Sequence, residues 1–269
     1  MTRILAIVVT FYPDKKLLEA NIDAFVNYVD KVIVWENTPR NEKEMYRYIG
    51  HEKVEYCGDG INSISHALNY GWKYAEKNDY EYLLAMDQDS QWENFHEYLY
   101  QTIYNPTISG GIWGPEAYGN KPKKIIESDR IITSGMLISV ELINRIGGWN
   151  EKFSIDCVDD EFCLRAKKIG VKTYIFGMCR LCQRYGTPKK VSFLGRSAVI
   201  NYDSPGRLYS IYKNHVLLLR LFPENIKIKE EFWKHWVPLI KWTVVFGSKP
   251  IDNLFAIFRG ILSGRIVKI

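Results

Sequence analysis

Two aspartates at the end of an apolar run have the spacing needed for metal or acid/base chemistry. Residues 82–86 read YLLAM, and Asp87 and Asp89 follow within three positions. Side chains two apart on an extended chain point the same way, so both carboxylates would project from the end of a strand. Close carboxylates repel, which raises the pKa of one of them unless a cation lies between them. A divalent cation is one interpretation, and a solvated turn capped by Asp is the other.

A second acidic cluster precedes a helical pattern. Asp159, Asp160 and Glu161 stand before apolar residues at helical spacing, which predicts a helix that begins near Asp159. Carboxylates in a first turn compensate the exposed amide hydrogens and the positive end of a helix. Glu161 and Arg165 can also pair at i and i+4. Helix structure alone therefore explains the cluster, and a catalytic role needs separate support.

Apolar runs alternate with amphipathic stretches through the first half of the chain. Repeated strand, helix, strand order favours right-handed crossovers and an α/β fold with a Rossmann-like, mainly parallel sheet flanked by helices. Such sheets bind ligands at the carboxyl ends of their strands. The predicted strands are residues 4–9, 32–35, 54–57 and 82–86, and the predicted helices are residues 16–28, 42–49, 63–77 and 94–104.

Polar and aromatic residues follow the first three predicted strands. They are Thr10 and Phe11 after the first, Glu36 and Asn37 after the second, and Asn62 beyond the third. Such groups could hold a base and a ribose, although ordinary turn and helix-cap chemistry explains each loop equally well. The chain has no G-x-G-x-x-G and no G-x-x-x-x-G-K-[ST] motif, so a dinucleotide or P-loop site is unsupported.

Composition restricts the class of protein and its partners. The 269 residues carry a formal net charge of +5, which favours anionic small molecules or acidic lipid surfaces and is too weak to indicate nucleic acid. Five cysteines without a secretory signal predict a reduced, cytoplasmic location. Cys179 and Cys182 form a single C-x-x-C pair, which favours thiols in or beside a strand over a zinc site.

The last part of the chain has a different character. We expect a catalytic domain over residues 1–204 and a helical segment over residues 205–269, which is rich in Arg, Lys, Trp and Tyr at helical spacing. One interpretation is peripheral contact with the inner face of a membrane and a lipid-linked acceptor. The other is packing on the catalytic domain or a dimer face, because Gly247 and Pro250 divide the pattern into short pieces.

Several motifs occur together in a distinctive order over about residues 4–190. They are VVTFYPD, WENT, LNYG at residues 68–71, MDQDS, SG at Ser134, GGW at residues 147–149 and IDCVDDEFCLR. Taken together they resemble glycosyltransferase family 2 with the GT-A fold. The bacterial rhamnosyltransferase-like branch is the most similar, since its DQDS box and ID-x-VD-x-E-x-C-x-R box occur together. No single motif is specific, whereas the ordered set is.

The resemblance implies roles for the matching residues. Asp87 would face the ribose, Asp89 would bind Mg²⁺ or Mn²⁺ at the donor diphosphate, and Asp159 would be the catalytic base. Gly148 and Trp149 would shape the pocket where donor sugar and acceptor meet. Thr10, Phe11, Glu36 and Asn37 would lie around the nucleotide base. With Asn62 and Gln88 from the loops at the strand ends, the predicted donor-binding residues are Thr10, Phe11, Glu36, Asn37, Asn62, Asp87 and Gln88.

Three positions depart from the family pattern. Glu36 stands where Asp is usual, and Tyr12 where Asn is frequent. Gln183 begins the stretch Q-R-Y-G, which matches an H-x-x-G segment whose His is associated with the metal. A Gln can offer only a neutral carbonyl oxygen to a hard cation, so Gln183 is a candidate ligand. The implied metal affinity is either low or supplied mostly by the diphosphate.

The resemblance implies an inverting glycosyltransferase for cell-surface polysaccharide synthesis. It would move a sugar, with rhamnose as a candidate, from a dTDP- or UDP-linked donor to a saccharide or lipid-linked acceptor. Two other classes stay open: a nucleotidyltransferase, which usually has a glycine-rich basic loop near the first strand, and a non-catalytic nucleotide-sugar or carbohydrate-binding module, which would not need Asp159.

Overall fold

The computed structural model describes residues 2–39, 50–119, 122–183, 188–193, 196–201, 204–237, 240–241, 243 and 249–269. The predicted helix over residues 42–49 lies outside these ranges. The chain divides into two compact units. Unit 1 comprises Met1–Ser154 and Val158–Arg184, and unit 2 comprises Ile155–Cys157 and Tyr185–Ile269.

A large mixed sheet forms the centre of unit 1. Its strand order is β3-β2-β1-β4-β8-β6-β9-β5, and β7 pairs with β9. The strands are β1 Ile4–Thr10, β2 Lys31–Glu36, β3 Val54–Cys57, β4 Tyr82–Asp87, β5 Gln91–Trp92, β6 Ile112–Glu116, β7 Ile125–Ser128, β8 Met136–Ser139 and β9 Thr173–Cys182.

The parallel half of the sheet agrees with the sequence prediction. Strands β3, β2, β1 and β4 are mutually parallel, and all seven residues of β1 are buried, as expected of a strand covered on both faces. Strand β8 runs antiparallel between β4 and β6, which makes the second half mixed. The predicted α/β class with helices beside a large sheet is confirmed.

Within the described residues of unit 1, five α-helices flank this sheet, and three of them begin at a side-chain cap. Asp14 caps α1 through two amide hydrogens, Ser63 caps α2 and Ser139 caps α4. The predicted helix over residues 16–28 is shorter in the structure, where a separate 3₁₀ turn covers Val26–Tyr28. The helices are α1 Lys15–Asp23, α2 Ile64–Lys77, α3 Phe95–Leu99, α4 Val140–Ile146 and α5 Val158–Lys168.

Unit 2 contains a hairpin and a helical part. The hairpin pairs β10 (Pro188–Phe193) with β11 (Arg196–Asn201) in antiparallel register. The helices are α6 Pro205–Leu221, α7 Ile226–Glu231 and α8 Pro250–Ile266. Within the described ranges, none of the helices has the length and apolar content needed to cross a membrane.

Candidate active site

The four parallel strands end at the same edge of the sheet, where most of the predicted site residues lie. Thr10 ends β1, Glu36 ends β2 and Asp87 ends β4. Thr10 is the register partner of Glu36, and Val9 that of Asp87. The exposed Asn62 lies in the turn between β3 and α2. Carboxyl ends of parallel strands are where open α/β sheets hold their ligands.

The side chain of Gln88 joins two of the loops at this edge. The amide of Phe11 donates to Gln88 Oε1 at 2.6 Å, and Gln88 Nε2 donates to the carbonyl of Phe11 at 3.2 Å. Gln88 therefore fixes the loop after β1 to the loop after β4. The ring of Phe11 stays 41% exposed beside Tyr12, at a centroid distance of 4.6 Å. An exposed aromatic face on a fixed backbone can stack on a planar base.

The other predicted base-contacting side chains are buried and make bonds within the protein. Thr10 Oγ1 donates to the carbonyl of Trp35 at 3.2 Å, and Trp35 Nε1 donates to Asn37 Oδ1 at 3.0 Å. Glu36 Oε1 accepts from the amide of Thr38 at 3.0 Å. These contacts shape the loop after β2, so part of any base recognition there would come from the backbone.

Asp87 is held from three sides. Its amide donates to Ser134 Oγ at 3.1 Å, and its carbonyl accepts from Asn21 Nδ2 at 2.6 Å. Gln183 Nε2 donates to Asp87 Oδ2 at 2.7 Å, which brings the tip of β9 to the end of β4. Ser134 in turn donates to the buried Ser90 at 2.7 Å. The half-buried Asp89 lies between Asp87 and this Ser90, in the turn that these bonds hold.

Asp159 lies in the first turn of α5 and is half-buried. Burial, the neighbouring Asp160 carboxylate and the charge of Asp87 raise the pKa of Asp159 from 3.8 to about 7. The amide of Asp160 donates to Asp159 Oδ1 at 3.0 Å and opposes that shift only in part. The charge of Asp87 makes the smallest of these contributions, so Asp159 lies within electrostatic range of the end of β4. A carboxyl with a pKa near neutrality can exchange protons at physiological pH.

The other two carboxylates of this cluster make ion pairs. Asp160 accepts from Arg130 Nη1 at 3.1 Å. The buried Glu161 accepts two bonds from Arg165, at 3.0 and 2.9 Å, as its spacing predicts. Arg165 also donates to the carbonyls of Ile146 and Gly148 at 2.6 and 2.7 Å. One guanidinium thus ties the end of α4 and the Gly148 loop to α5.

Gly148 and Trp149 are fixed beside α5. Gly148 has a φ of +72°, and a Cβ there would collide with the ring of Trp72, so this position requires glycine. Asn69 accepts from the amide of Trp149 at 2.8 Å and donates to its carbonyl at 2.9 Å. The indole stacks on Phe162 at 4.5 Å, and its buried Nε1 has no hydrogen-bond partner within the described part of the protein.

Two oxygen-bearing side chains at this edge are candidate ligands for a cation. Among the described residues, no three His, Cys, Asp or Glu side chains are grouped as a metal site. The candidate set is the Asp89 carboxylate and the amide oxygen of Gln183, whose nitrogen is directed at Asp87. Mg²⁺ commonly binds through one or two carboxylates together with substrate phosphates. The oxygen atoms of Asp89 and Gln183 are therefore of the chemical kind that a divalent cation shared with a diphosphate takes.

Four of the residues that build the site had weak sequence signals or none. Asn21 lies between Leu18 and Ile22 on the buried face of α1, where a polar residue in an apolar pattern is a detectable signal. Asn69 belongs to the quoted LNYG motif, although its bonds to Trp149 span 80 positions. Ser90 and Arg130 have no local pattern that marks their partners. A separate cavity of about 410 Å³, lined in part by Gly111 and Lys172, lies at the opposite edge of the sheet.

Two comparisons with known proteins both find glycosyltransferases. No family model matches the chain. The dTDP-rhamnosyl transferase RfbF of Shigella flexneri is 28% identical over 243 residues, which cover 81% of this chain and 80% of the relative. The solved structure of GalNAc-T7 with UDP, GalNAc and Mn²⁺ matches 81% of this chain with a TM-score of 0.59 and 11% identity. The matched region spans 48% of the GalNAc-T7 chain.

The structural neighbour shows that this chain has the GT-A fold. The curated relative supports a nucleotide-sugar glycosyltransferase, similar to the rhamnosyltransferases, over a nucleotidyltransferase or a non-catalytic binding module. Both findings agree with the resemblance implied by the ordered motifs.

Proposed function

We propose that this protein is an inverting glycosyltransferase that moves a sugar from a nucleoside diphosphate to a hydroxyl group of a saccharide or lipid-linked acceptor. The observation that supports the proposal is the electrostatic interaction of Asp159, in the first turn of α5, with Asp87, at the carboxyl end of β4. The name of the relative, dTDP-rhamnosyl transferase, makes dTDP-rhamnose the first donor to test, and UDP-sugars come second.

The donor would lie across the loops that follow β1, β2 and β4. Phe11 offers an aromatic face for the base, on a backbone that Gln88 fixes. Asp87, held by Ser134 and Asn21, would accept bonds from the ribose hydroxyls. Thr10, Glu36, Asn37 and Asn62 complete this proposed donor site.

The diphosphate would lie near Asp89. The proposed cation ligands are the Asp89 carboxylate and the carbonyl oxygen of Gln183, with Mg²⁺ or Mn²⁺ as the ion. When bound, such an ion would neutralise negative charge on the departing nucleoside diphosphate. The mixture of one anionic and one neutral protein ligand supports weak metal binding in the absence of the donor.

Asp159 would act as the general base. The acceptor oxygen forms a bond to the anomeric carbon while the bond from that carbon to the diphosphate oxygen breaks, and the electron pair leaves with the nucleoside diphosphate. The acceptor proton passes to Asp159, whose pKa of about 7 suits it to accept a proton near neutral pH. Attack from the face opposite the leaving group inverts the anomeric centre. Gly148 and Trp149 would line the acceptor side.

The test measures nucleoside diphosphate release from a panel of dTDP- and UDP-sugars, with and without Mn²⁺. Wild-type protein should release nucleotide from at least one donor, and Asp159→Asn should bind that donor normally while turnover falls roughly 10²- to 10⁴-fold. The matched control is Asp160→Asn, which removes the adjacent carboxylate that pairs with Arg130 and should turn over within a few-fold of wild type at pH 8. Near-normal turnover of Asp159→Asn would disprove the role of Asp159. Absence of both binding and release for every donor would disprove the function.

A further inference from the structure

Helix α8 has a wide apolar face that is exposed to solvent. The exposed residues recur at positions i, i+3, i+4, i+7, i+11 and i+15, the spacing of a single helix face. Phe255 is 62% exposed and Phe258 57%, and Ile251 and Ile266 at the two ends are about 80% exposed. The full set is Ile251, Leu254, Phe255, Phe258, Leu262 and Ile266, and we call it the α8 apolar face.

The opposite side of α8 is already packed. Ala256 and Ile257 lie in a cluster with three residues of α6. Gly260 and Gly264 approach α6 so closely that an added Cβ would lie 2.5 Å from the carbonyl oxygens of Tyr209 and Lys213. The helix is therefore apolar on both sides while only one side is covered, and a helix that is apolar all round normally has a partner on each side.

Positive side chains border the α8 apolar face and outnumber the exposed Asp252 in the first turn of the helix. Arg259 lies at its border, with its guanidinium 5.7 Å from the ring of Tyr209 on α6 and 5.9 Å from that of Phe255. Arg265 and Lys268 are exposed at the end of the helix. The residues of unit 2 include 14 Lys and Arg against 6 Asp and Glu, a net charge of +8, whereas the whole chain carries +5.

We propose that the α8 apolar face docks unit 2 on an anionic membrane surface. The aromatic and aliphatic side chains would enter the boundary between headgroups and acyl chains, and Arg259 and Arg265 would contact the lipid phosphates. A second copy of the chain is a poorer occupant, because a symmetric contact would bring two units of +8 against each other. The proposal does not depend on the transferase assignment.

Co-sedimentation of the full chain with vesicles tests the proposal. Binding is expected for phosphatidylcholine vesicles that contain 30% phosphatidylglycerol, and much less binding for pure phosphatidylcholine. The double variant Phe255→Ser, Phe258→Ser should reduce the partition coefficient at least tenfold. Arg259→Gln with Arg265→Gln should lower binding to the anionic vesicles roughly 30-fold and leave the weak binding to neutral vesicles unchanged.

The matched control is Tyr100→Ser with Tyr104→Ser, which removes two exposed aromatic rings from unit 1 and should bind vesicles like wild type. Light scattering reports the oligomeric state of each protein, and the melting temperature confirms folding. If the double serine variant is unstable, Leu254→Gln with Leu262→Gln replaces it, because these two side chains belong to the same α8 apolar face. The proposal is overturned if the wild-type chain does not bind anionic vesicles, if the serine variant binds as well as wild type, or if the face mediates a dimer instead.

Discussion

Replacement of Asp159 by Asn should make the protein more stable at alkaline pH. The pKa of Asp159 is about 7 in the folded protein, against an ordinary value of 3.8. The folded state therefore binds this proton more tightly than the unfolded state, and wild-type stability falls as pH rises from about 4 to about 7. Asn cannot ionise, and its Oδ1 can still accept from the amide of Asp160. The variant avoids the loss.

The magnitude follows from the pKa difference. At about 1.36 kcal/mol per pKa unit, a difference of roughly 3 units amounts to about 4 kcal/mol well above pH 7. Because Asp159 is half-buried and partly screened by water, a gain of roughly 2 to 4 kcal/mol is the realistic range. Most of it should develop between pH 5 and pH 8.5.

Urea unfolding followed by tryptophan fluorescence at pH 5 and pH 8.5 measures this gain. EDTA is included in both samples, because a bound cation would stabilise the ionised carboxylate and reduce the pKa shift. At pH 8.5 the urea midpoint of the wild-type protein should lie below that of Asp159→Asn, and by more than at pH 5. If the two proteins keep the same stability difference at both pH values, or if the variant is the less stable at pH 8.5, the raised pKa is wrong.

Three further outcomes are expected. Gly148→Ala should destabilise the protein by roughly 3 kcal/mol or more, since a Cβ collides with the ring of Trp72, whereas Gly170→Ala, at a similar positive φ in open space, should cost only about 1 kcal/mol; equal urea midpoints for the two variants would contradict the collision. Gln183→His should lower the Mn²⁺ concentration for half-maximal turnover about tenfold, because imidazole is a stronger ligand than a neutral amide, and an unchanged metal titration would exclude Gln183 as a ligand. In wild type, kcat/KM should rise with pH through about 7 as Asp159 ionises, and Asp160→Asn should shift that rise to lower pH by removing a neighbouring negative charge; a shift to higher pH would contradict the assignment.

Short sequence patterns predicted the strands and helix starts whose formation depends on neighbouring residues. The apolar runs of β1 and β4 and the acidic first turn of α5 are recognisable because strand burial and first-turn chemistry leave a signature within a few residues. Helix α1 ends early, and beyond its end the buried Phe25 and Val26 lie in the core. The antiparallel insertion of β8 between β4 and β6 depends on distant pairing, which no short pattern records.

In the candidate site, too, local patterns predicted some residues and missed the long-range contacts that hold them. Asp87, Asp89 and Asp159 stand out because acidic residues follow an apolar strand or begin a helix. The contacts that orient them could not be predicted, since Gln183 joins Asp87 across 96 positions and Gln88 joins Phe11 across 77. Ordered motifs supplied the family resemblance, which local patterns alone did not provide.

The hydrogen bonds of the Arg165 guanidinium limit which parts of the site can move. Arg165 donates to Glu161 on its own helix and to the carbonyls of Ile146 and Gly148. These bonds hold the Trp149 loop and the helix that bears Asp159 together as one rigid part. Opening for substrate entry on the side of the Phe11 loop would require the two water-exposed bonds between Phe11 and Gln88 to break. Amide hydrogen exchange should accordingly be slow around Gly148 and fast around Phe11.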